Sequence, residues 1–283
     1  MDEVSALNSG LDALEAAPVT TNRNIFRSNI YRFFPLLSAL VIIAIWQIVV
    51  TFSHIPSHKL PTPLEVFETL KREWKQGALW SAIATSVVRG AVGFFFAIVL
   101  ATPLGLLLGL NRNLRLLFRP ILVGLQQLPS VAWVPAAVIW FGISPVTIYV
   151  VIMMGAVPSI ANGLIAGIDQ IPSIVLKVAD VMHANQRQRI RHFILPSALV
   201  GYLAGLEQGW AFAWRSLMAA ELIAVTPSLG IGIGQLLNTG RELGDMSLVV
   251  GSIIVIMVIG ITIEKLLFDP IRKRAYVNRG LAI

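Results

Sequence analysis

Three ionisable residues, Glu207, Arg215 and Glu221, lie inside an apolar stretch that runs from about Ala198 to Val225. A charge at bilayer depth costs about 2.5–3.5 kcal/mol on translocon scales, so it rarely faces lipid. At about 100° per residue the three share an arc of ~120° with Trp214 and Met218. That pattern fits a polar strip lining a solute path. It fits equally a set of charges that pair with partners such as Arg89, the single charge in another apolar stretch. Glu221 lies close to the outer end of its helix, where pairing or an interfacial position is the simpler reading. A second polar group, Gln126-Gln127 with Ser130, interrupts an apolar stretch beside Pro129. Proline frees a backbone carbonyl, and amide side chains can line a polar cavity. A helix kink satisfied by its neighbours would use the same residues.

Enzyme chemistry finds no foothold. The phosphate-cradling pattern G-x-x-x-x-G-K-[ST] is absent, so the chain has no recognisable ATPase of its own. Gly230-Ile-Gly-Ile-Gly234 is glycine-rich, but a dinucleotide site needs a strand before it and a helix after it. Here the run follows an apolar helix and reads as an outer loop. Cysteine is absent, which excludes disulfides and thiolate metal sites. No H-E-x-x-H pattern occurs, and His54, His58, His183 and His192 fall in polar segments. No cofactor and no metal site are expected.

The elements that hold these residues are read from composition. Of 283 residues, 56% are hydrophobic and 13% charged. Soluble domains carry roughly 25% charged residues, so this chain has too few charges to cover a water-facing surface. The expected class is an all-α polytopic membrane protein of about six transmembrane helices. Six apolar runs are present: Phe33–Phe52, about Leu79–Leu110, Ile121–Phe141, about Val146–Ile168, about Ala198–Val225 and Met246–Leu267. Each approaches or exceeds the ~20 residues that cross ~30 Å of hydrocarbon. The third is broken by Pro129 and Pro135, and the fourth holds Pro158. Between the first two runs lies a polar segment, Ser53 to Gln76, in which Leu60-Pro61-Thr62-Pro63 favours extended backbone. Thr226 to Asp245 is a glycine-rich connection.

The expected organisation is a cytoplasmic tail at 1–30, a six-helix transmembrane domain at 31–270 with a cytoplasmic loop at 171–196, and a basic cytoplasmic tail at 271–283. Met1 to Pro18 holds four acids and no basic residue, unlike a secretory signal. A short amphipathic helix lying on the membrane or on a partner is the alternative reading of that tail. The net charge of +7 comes from basic residues between apolar runs, which points to a membrane rather than to nucleic acid. With the N-terminus inside, cytoplasmic segments hold fourteen Lys and Arg, and outer segments hold five. Positively charged loops stay inside, so both termini are expected in the cytoplasm.

Small residues recur at four-residue spacing as Gly201, Gly205, Gly209 and Ala213, and Gly105 and Gly109 repeat the spacing in the second run. Such stripes let backbones approach closely in lipid. On the cytoplasmic side, the segment from Lys177 to Pro196 reads KVADVMHANQRQRIRHFILP. Val178, Val181 and Met182 fall at i, i+3, i+4, one face of a short helix. That face suits a groove on a soluble partner. An interfacial helix held by anionic headgroups has the same pattern.

The last segment resembles the cytoplasmic loop of permeases in binding-protein-dependent ABC importers, whose pattern is close to E-A-A, then Gly, then I-x-L-P. Here it ends at Phe193-Ile194-Leu195-Pro196, with Ala179 in the alanine region. Two positions depart: Lys177 stands where the family has Glu, and His183 where it has Gly. Further pieces are similar to the nitrate/sulfonate/taurine/bicarbonate branch. They are Leu60-Pro61-Thr62-Pro63, Thr85-Ser86-Val87-Val88-Arg89, Leu125-Gln126-Gln127-Leu128-Pro129, Trp133-Val134-Pro135, Trp140-Phe141-Gly142 and Ala219-Ala220-Glu221. The resemblance covers about residue 30 to the C-terminus.

It implies a type I importer permease in the bacterial plasma (inner) membrane, paired with a second copy of itself. Two ATP-binding subunits would sit below, and an extracytoplasmic solute-binding protein would dock outside. The coupling contact would fall on Lys177, Ala179, Asp180, Val181, Met182, His183, Ala184, Leu195 and Pro196. The solute would be a small oxyanion, with Arg89 or Arg215 offering positive charge. A secondary transporter driven by an ion gradient is the alternative, although the six runs show no convincing internal repeat of the kind such proteins carry. A membrane scaffold with no transport role is a third reading.

Overall fold

The computed structural model describes residues 25–53, 55–56, 58–224 and 230–277, with side chains described for residue 34 and from residue 37 onward within those ranges. The expected acidic tail and its amphipathic alternative lie almost wholly outside the described residues. All regular structure among the described residues is helical. The chain divides into two units, residues 1–54 and 55–283. In the first, helix α1 (Ile25–Ser53) starts ahead of the apolar run that announced it. Most of its described apolar side chains, such as Leu40 and Ile42, are exposed, as befits a surface made for lipid.

The second unit opens with α2 (Pro63–Lys75), inside the segment read as polar and extended. The prolines start this helix rather than forbid it. Pro63 stands in the first turn, where its missing N–H has no cost. Thr62 caps the helix: its hydroxyl accepts from Glu65 N–H at 3.2 Å, and Thr62 N–H donates to the Glu65 carboxylate at 2.7 Å. Then come α3 (Ala78–Leu110), α4 (Arg112–Gln127), a 3₁₀ turn (Ser130–Ala132), α5 (Trp133–Phe141) and α6 (Pro145–Asp169). The expected third span is therefore two helices, bent by 95° where Leu128 and Pro129 leave the helical conformation. On the segment expected to form the cytoplasmic loop lie α7 (Ser173–Val181), a helical turn (Gln186–Gln188) and a π-helical turn (Arg189–Ile194) leading into α8 (Leu195–Ile223). The glycine-rich connection is not wholly a loop: α9 (Ile233–Leu243) forms within it. The last long helix is α10 (Met246–Ile263), continued through a π turn by α11 (Asp269–Val277) into the expected basic tail.

Among the described residues, three helices are long and apolar enough to cross a membrane, or four if the bent pair is one span. The apolar part of α1 at 37–53 is shorter than that limit. The 29 residues of α8 suffice in length, but Glu207, Gln208, Arg215, Glu221 and its glycines lower its hydropathy. A helix that carries polar groups is one surrounded by protein or water, and this one packs closely on α6.

Helix α6 is the centre of the second unit. In its most apolar window 61% of residues are buried, against 28% in α3 and 17% in the last helix. Its partner faces are made of small residues. A Cβ on Gly205 would stand 2.7 Å from Gly163 Cα, and one on Gly201 would stand 2.5 Å from Gly167 Cα. Gly209 faces Ile160, Gly105 faces Ala161 and Leu164, and Gly109 faces Ile168. Thus α8 and α3 lie against opposite parts of α6 at backbone contact distance, which lets dispersion forces hold them where no hydrophobic drive exists.

Candidate functional site

The fully buried carboxylate of Glu221 joins three elements. Its Oε1 accepts from Arg89 Nη1 on α3 at 3.0 Å, and its Oε2 accepts from Ser86 Oγ at 2.7 Å and from Gly234 N–H at 3.1 Å. Ser86 Oγ accepts in turn from Ile233 N–H at 2.9 Å, and Arg89 Nη2 donates to Gly230 O at 3.3 Å. The first turn of α9 thus gives one N–H, that of Gly234, to the carboxylate directly and another, that of Ile233, to the Ser86 hydroxyl beside it, at a helix end whose dipole favours an anion. Any Cβ on Gly232 would collide with the Glu221 carboxyl group, and one on Gly234 would come within 2.6 Å of Glu221 Cβ. The glycine-rich run is therefore a backbone cradle for Glu221. Its spacing was visible in the sequence; its client was not, because the two approach only in three dimensions. Ser86 was marked in the sequence only as part of the Thr85-Ser86-Val87-Val88-Arg89 resemblance, which did not point to Glu221.

The other charges of α8 go elsewhere. Glu207 accepts from Arg272 of α11 at 2.6 Å, and Arg272 also reaches Asp269. Trp214 is buried, donates from Nε1 to Ile256 O at 3.2 Å and stacks on Trp210 at 6.1 Å. Met218 is half-buried. Arg215 is exposed: its Nε donates back to Ala211 O at 3.0 Å and its guanidinium lies 4.6 Å over the Phe212 ring. No carboxylate among the described residues pairs with it. A cleft of about 500 Å³ between α8 and α10 is bordered by Glu207, Gln208, Arg215 and Glu264 on a mainly apolar wall. The five residues of the predicted arc are therefore split between a buried lock, a link to the C-terminal helix, a packed core and an exposed cation. Ala204, Gln208, Ala211 and Arg215 line one exposed face of α8.

Gln126, just before the 95° bend, belongs to a second polar cluster. Its Nε2 donates to Ser159 Oγ at 3.0 Å, and its Oε1 accepts from Asn162 Nδ2 at 2.9 Å. Neighbouring Gln127 is exposed. Ser159, Gly163 and Gly167 repeat the four-residue spacing on α6, so the partner stripe of Gly201 and Gly205 could have been found by the same rule.

The residues expected to form the coupling loop make a capped and ion-paired hairpin. Helix α7 ends in paired bonds, from His183 N–H to Asp180 O and from Ala184 N–H to Ala179 O, each 3.0 Å. This is a Schellman cap, which places its C′ residue in the left-handed region. That residue is His183, with φ of 49°. The position where the resemblance expects Gly is thus the one where only Gly is unstrained. Asn185 caps the next turn, accepting from Gln188 N–H at 2.9 Å, and Arg189 binds Asp180 across the hairpin at 2.8 Å. Ala179 and Ile194 point inward. Lys177 and Pro196 are exposed, and Leu195 and Ala184 are half-buried. Ile174, Val178, Val181 and Met182 form an exposed apolar stripe, with Val181 79% accessible. Among the described residues no three His, Asp or Glu side chains converge to hold a metal ion.

Comparison with known proteins accords with this architecture. The chain is 30% identical over 229 residues to the taurine transport system permease protein TauC of Escherichia coli (strain K12), covering 79% of this chain and 82% of that protein. It is 30% identical to the putative aliphatic sulfonates transport permease protein SsuC of Bacillus subtilis (strain 168), covering 80% of each. It is also 30% identical to the bicarbonate transport system permease protein CmpB of Synechococcus elongatus, covering 82% and 85%. A solved chain of the MetNI methionine ABC transporter, in inward-facing conformations, shares the fold with a TM-score of 0.57 at 20% identity, over 70% of this chain and 95% of that one. The sequence profile of binding-protein-dependent transport system inner membrane components matches residues 93–269, and the chain belongs to that family.

Proposed function

We propose that the chain is the membrane-spanning subunit of an ATP-driven importer for a small oxyanion of the aliphatic sulfonate, nitrate, taurine or bicarbonate class. It works as a pair of identical copies in the bacterial inner membrane, with two ATP-hydrolysing subunits at the cytosolic face and a solute-binding protein outside. The excess of Lys and Arg in alternate loops supports an arrangement with both termini in the cytosol. The solute class rests on what the TauC, SsuC and CmpB relatives are named for.

The observation that carries the reading is the hairpin at 173–196. An apolar stripe of Ile174, Val178, Val181 and Met182 stands exposed on a helix that is capped, ion-paired and joined directly to α8. An exposed stripe on a rigid mount suits a groove in a partner. Force applied there enters α8 through the π turn and reaches α6 through the glycine contacts, so the two helices move together. Arg215, Gln208 and Gln127 are among the polar groups facing outward from the bundle, and a desolvated lipid contact would penalise them. A second copy across the face of Ala204, Gln208, Ala211 and Arg215 supplies a polar path between the pair. In the conformation described, Arg89 and Glu221 hold each other, Trp214 is committed to packing, and Glu207 is tied to Arg272.

Proteoliposomes holding the chain, its ATPase and its binding protein test this reading. Uptake of a labelled sulfonate or bicarbonate should require ATP and all three components. Uptake by the chain alone, driven by an ion gradient, would establish the secondary-transporter alternative instead.

A further inference from the structure

Helix α2 is apolar over a wider arc than the protein covers. At about 100° per residue, Val66, Thr69, Leu70 and Glu73 fall within ~100° of one another and face the bundle, with Leu70 against Gly251 of α10. The adjoining arc holds Leu64, Phe67 and Trp74, which are 64%, 62% and 54% exposed. Lys71 lies within that second arc and Lys75 at its border. Glu65, Glu68 and Arg72 occupy the third face, where Arg72 reaches Asp245 at 3.6 Å. Both lysines are exposed, and no carboxylate among the described residues pairs with them. A soluble helix has two faces; this one has three.

The uncovered apolar arc continues onto a spanning helix. Trp74 meets Trp80, the third residue of α3, edge to face at 5.9 Å. From Trp80 an exposed stripe runs along α3 through Val88, Phe95 and Val99. That stripe lies on a 33-residue apolar helix long enough to cross a bilayer. The aromatic pair sits at its beginning, where amphipathic rings partition to the boundary between headgroups and acyl chains.

We propose that α2 is an interfacial helix that lies in the bilayer surface and binds anionic phospholipid headgroups. Leu64, Phe67 and Trp74 enter the acyl boundary, Lys71 and Lys75 reach up along it to phosphate oxygens, and Glu65, Glu68 and Arg72 face water. Apolar surface that runs without a break onto a span, together with two unpaired cations beside it, names phospholipid as the occupant. The helix thereby fixes the height of α3 and α10, the two spans it touches, relative to the membrane surface.

The chain contains no cysteine, so single labels can be placed without background. A nitroxide on Phe67→Cys, and another on Glu68→Cys, would be measured by spin-label collision in vesicles of phosphatidylethanolamine and phosphatidylglycerol. The label at 67 should meet dissolved oxygen more often than an aqueous nickel chelate, and the label at 68 should show the reverse order. Lys71→Gln with Lys75→Gln should shift the label at 67 toward water in these vesicles and not in phosphatidylcholine. Chelate contact at 67, or shielding from both reagents by a second copy or a partner protein, would overturn the proposal. So would an unchanged depth in the double lysine variant.

Discussion

Glu221 and Arg89, 132 positions apart, meet at 3.0 Å with the carboxylate wholly out of solvent. The pair ties α3 to the end of α8, and the glycines before and within α9 close over it. Removing one member of a buried pair leaves an uncompensated charge, at about 3–5 kcal/mol. Glu221→Met and Arg89→Met should each lower the unfolding free energy by that order in thermal unfolding. Arg89→Met combined with Glu221→Met should cost less than the two single losses added. Additive losses would show that the two side chains act independently.

The glycine seam between α6 and α8 makes a sharper demand. Even one methyl group at Gly205 has no space, because Gly163 Cα would stand 2.7 Å away. Overpacking of this kind costs about 1–3 kcal/mol. Gly205→Ala should reduce thermal stability, and Gly205→Leu should abolish monodisperse protein on size exclusion. The control is Gly124→Ala, since nothing lies within 4 Å of that site. Equal stability of all three variants would contradict the seam.

The strained cap gives a prediction of opposite sign. A side chain in the left-handed region costs roughly 1–2 kcal/mol, less for His than for a branched residue. His183→Gly should raise the protection of the Ala184 amide against hydrogen exchange, although the freer unfolded chain offsets part of the gain. His183→Val should lower it by about 1–2 kcal/mol of opening free energy. Identical exchange in the two variants would mean that the cap does not govern this hairpin.

Arg215 offers a test of the solute path. A charge-assisted hydrogen bond contributes about 1.5–3 kcal/mol, so its loss corresponds to roughly tenfold to a hundredfold. Arg215→Ala should lower the kcat/KM of anion uptake by that factor, with Arg215→Lys recovering part. Unchanged uptake kinetics would remove Arg215 from the path.

Much of the helical layout was legible because apolar length and small-residue spacing are local properties. The runs holding α3, α6, α8 and α10 are each continuous, and the stripe of Gly201, Gly205 and Gly209 needs only counting. Helix α2 was less visible because its three-faced pattern mixes apolar and charged residues, and its two prolines suggested a break. The bend at Leu128 and Pro129 was legible as an interruption, but its 95° angle is set by packing. Of the α8 charges, the pairing of Glu221 with a partner such as Arg89 was legible, while the partner of Glu207 and the outward exposure of Arg215 were not. A shared arc says which way side chains lean, whereas Arg89, Arg272 and the α9 amides decide who meets whom.

The reading depends most on the hairpin stripe being gripped by a separate motor. Val181→Asp is the direct probe, since this side chain is 79% exposed and the change leaves the bundle intact. In proteoliposomes with ATPase and binding protein, solute-stimulated ATP hydrolysis and uptake should both collapse while thermal stability of the chain is unchanged. Wild-type hydrolysis and uptake in that variant would contradict the account.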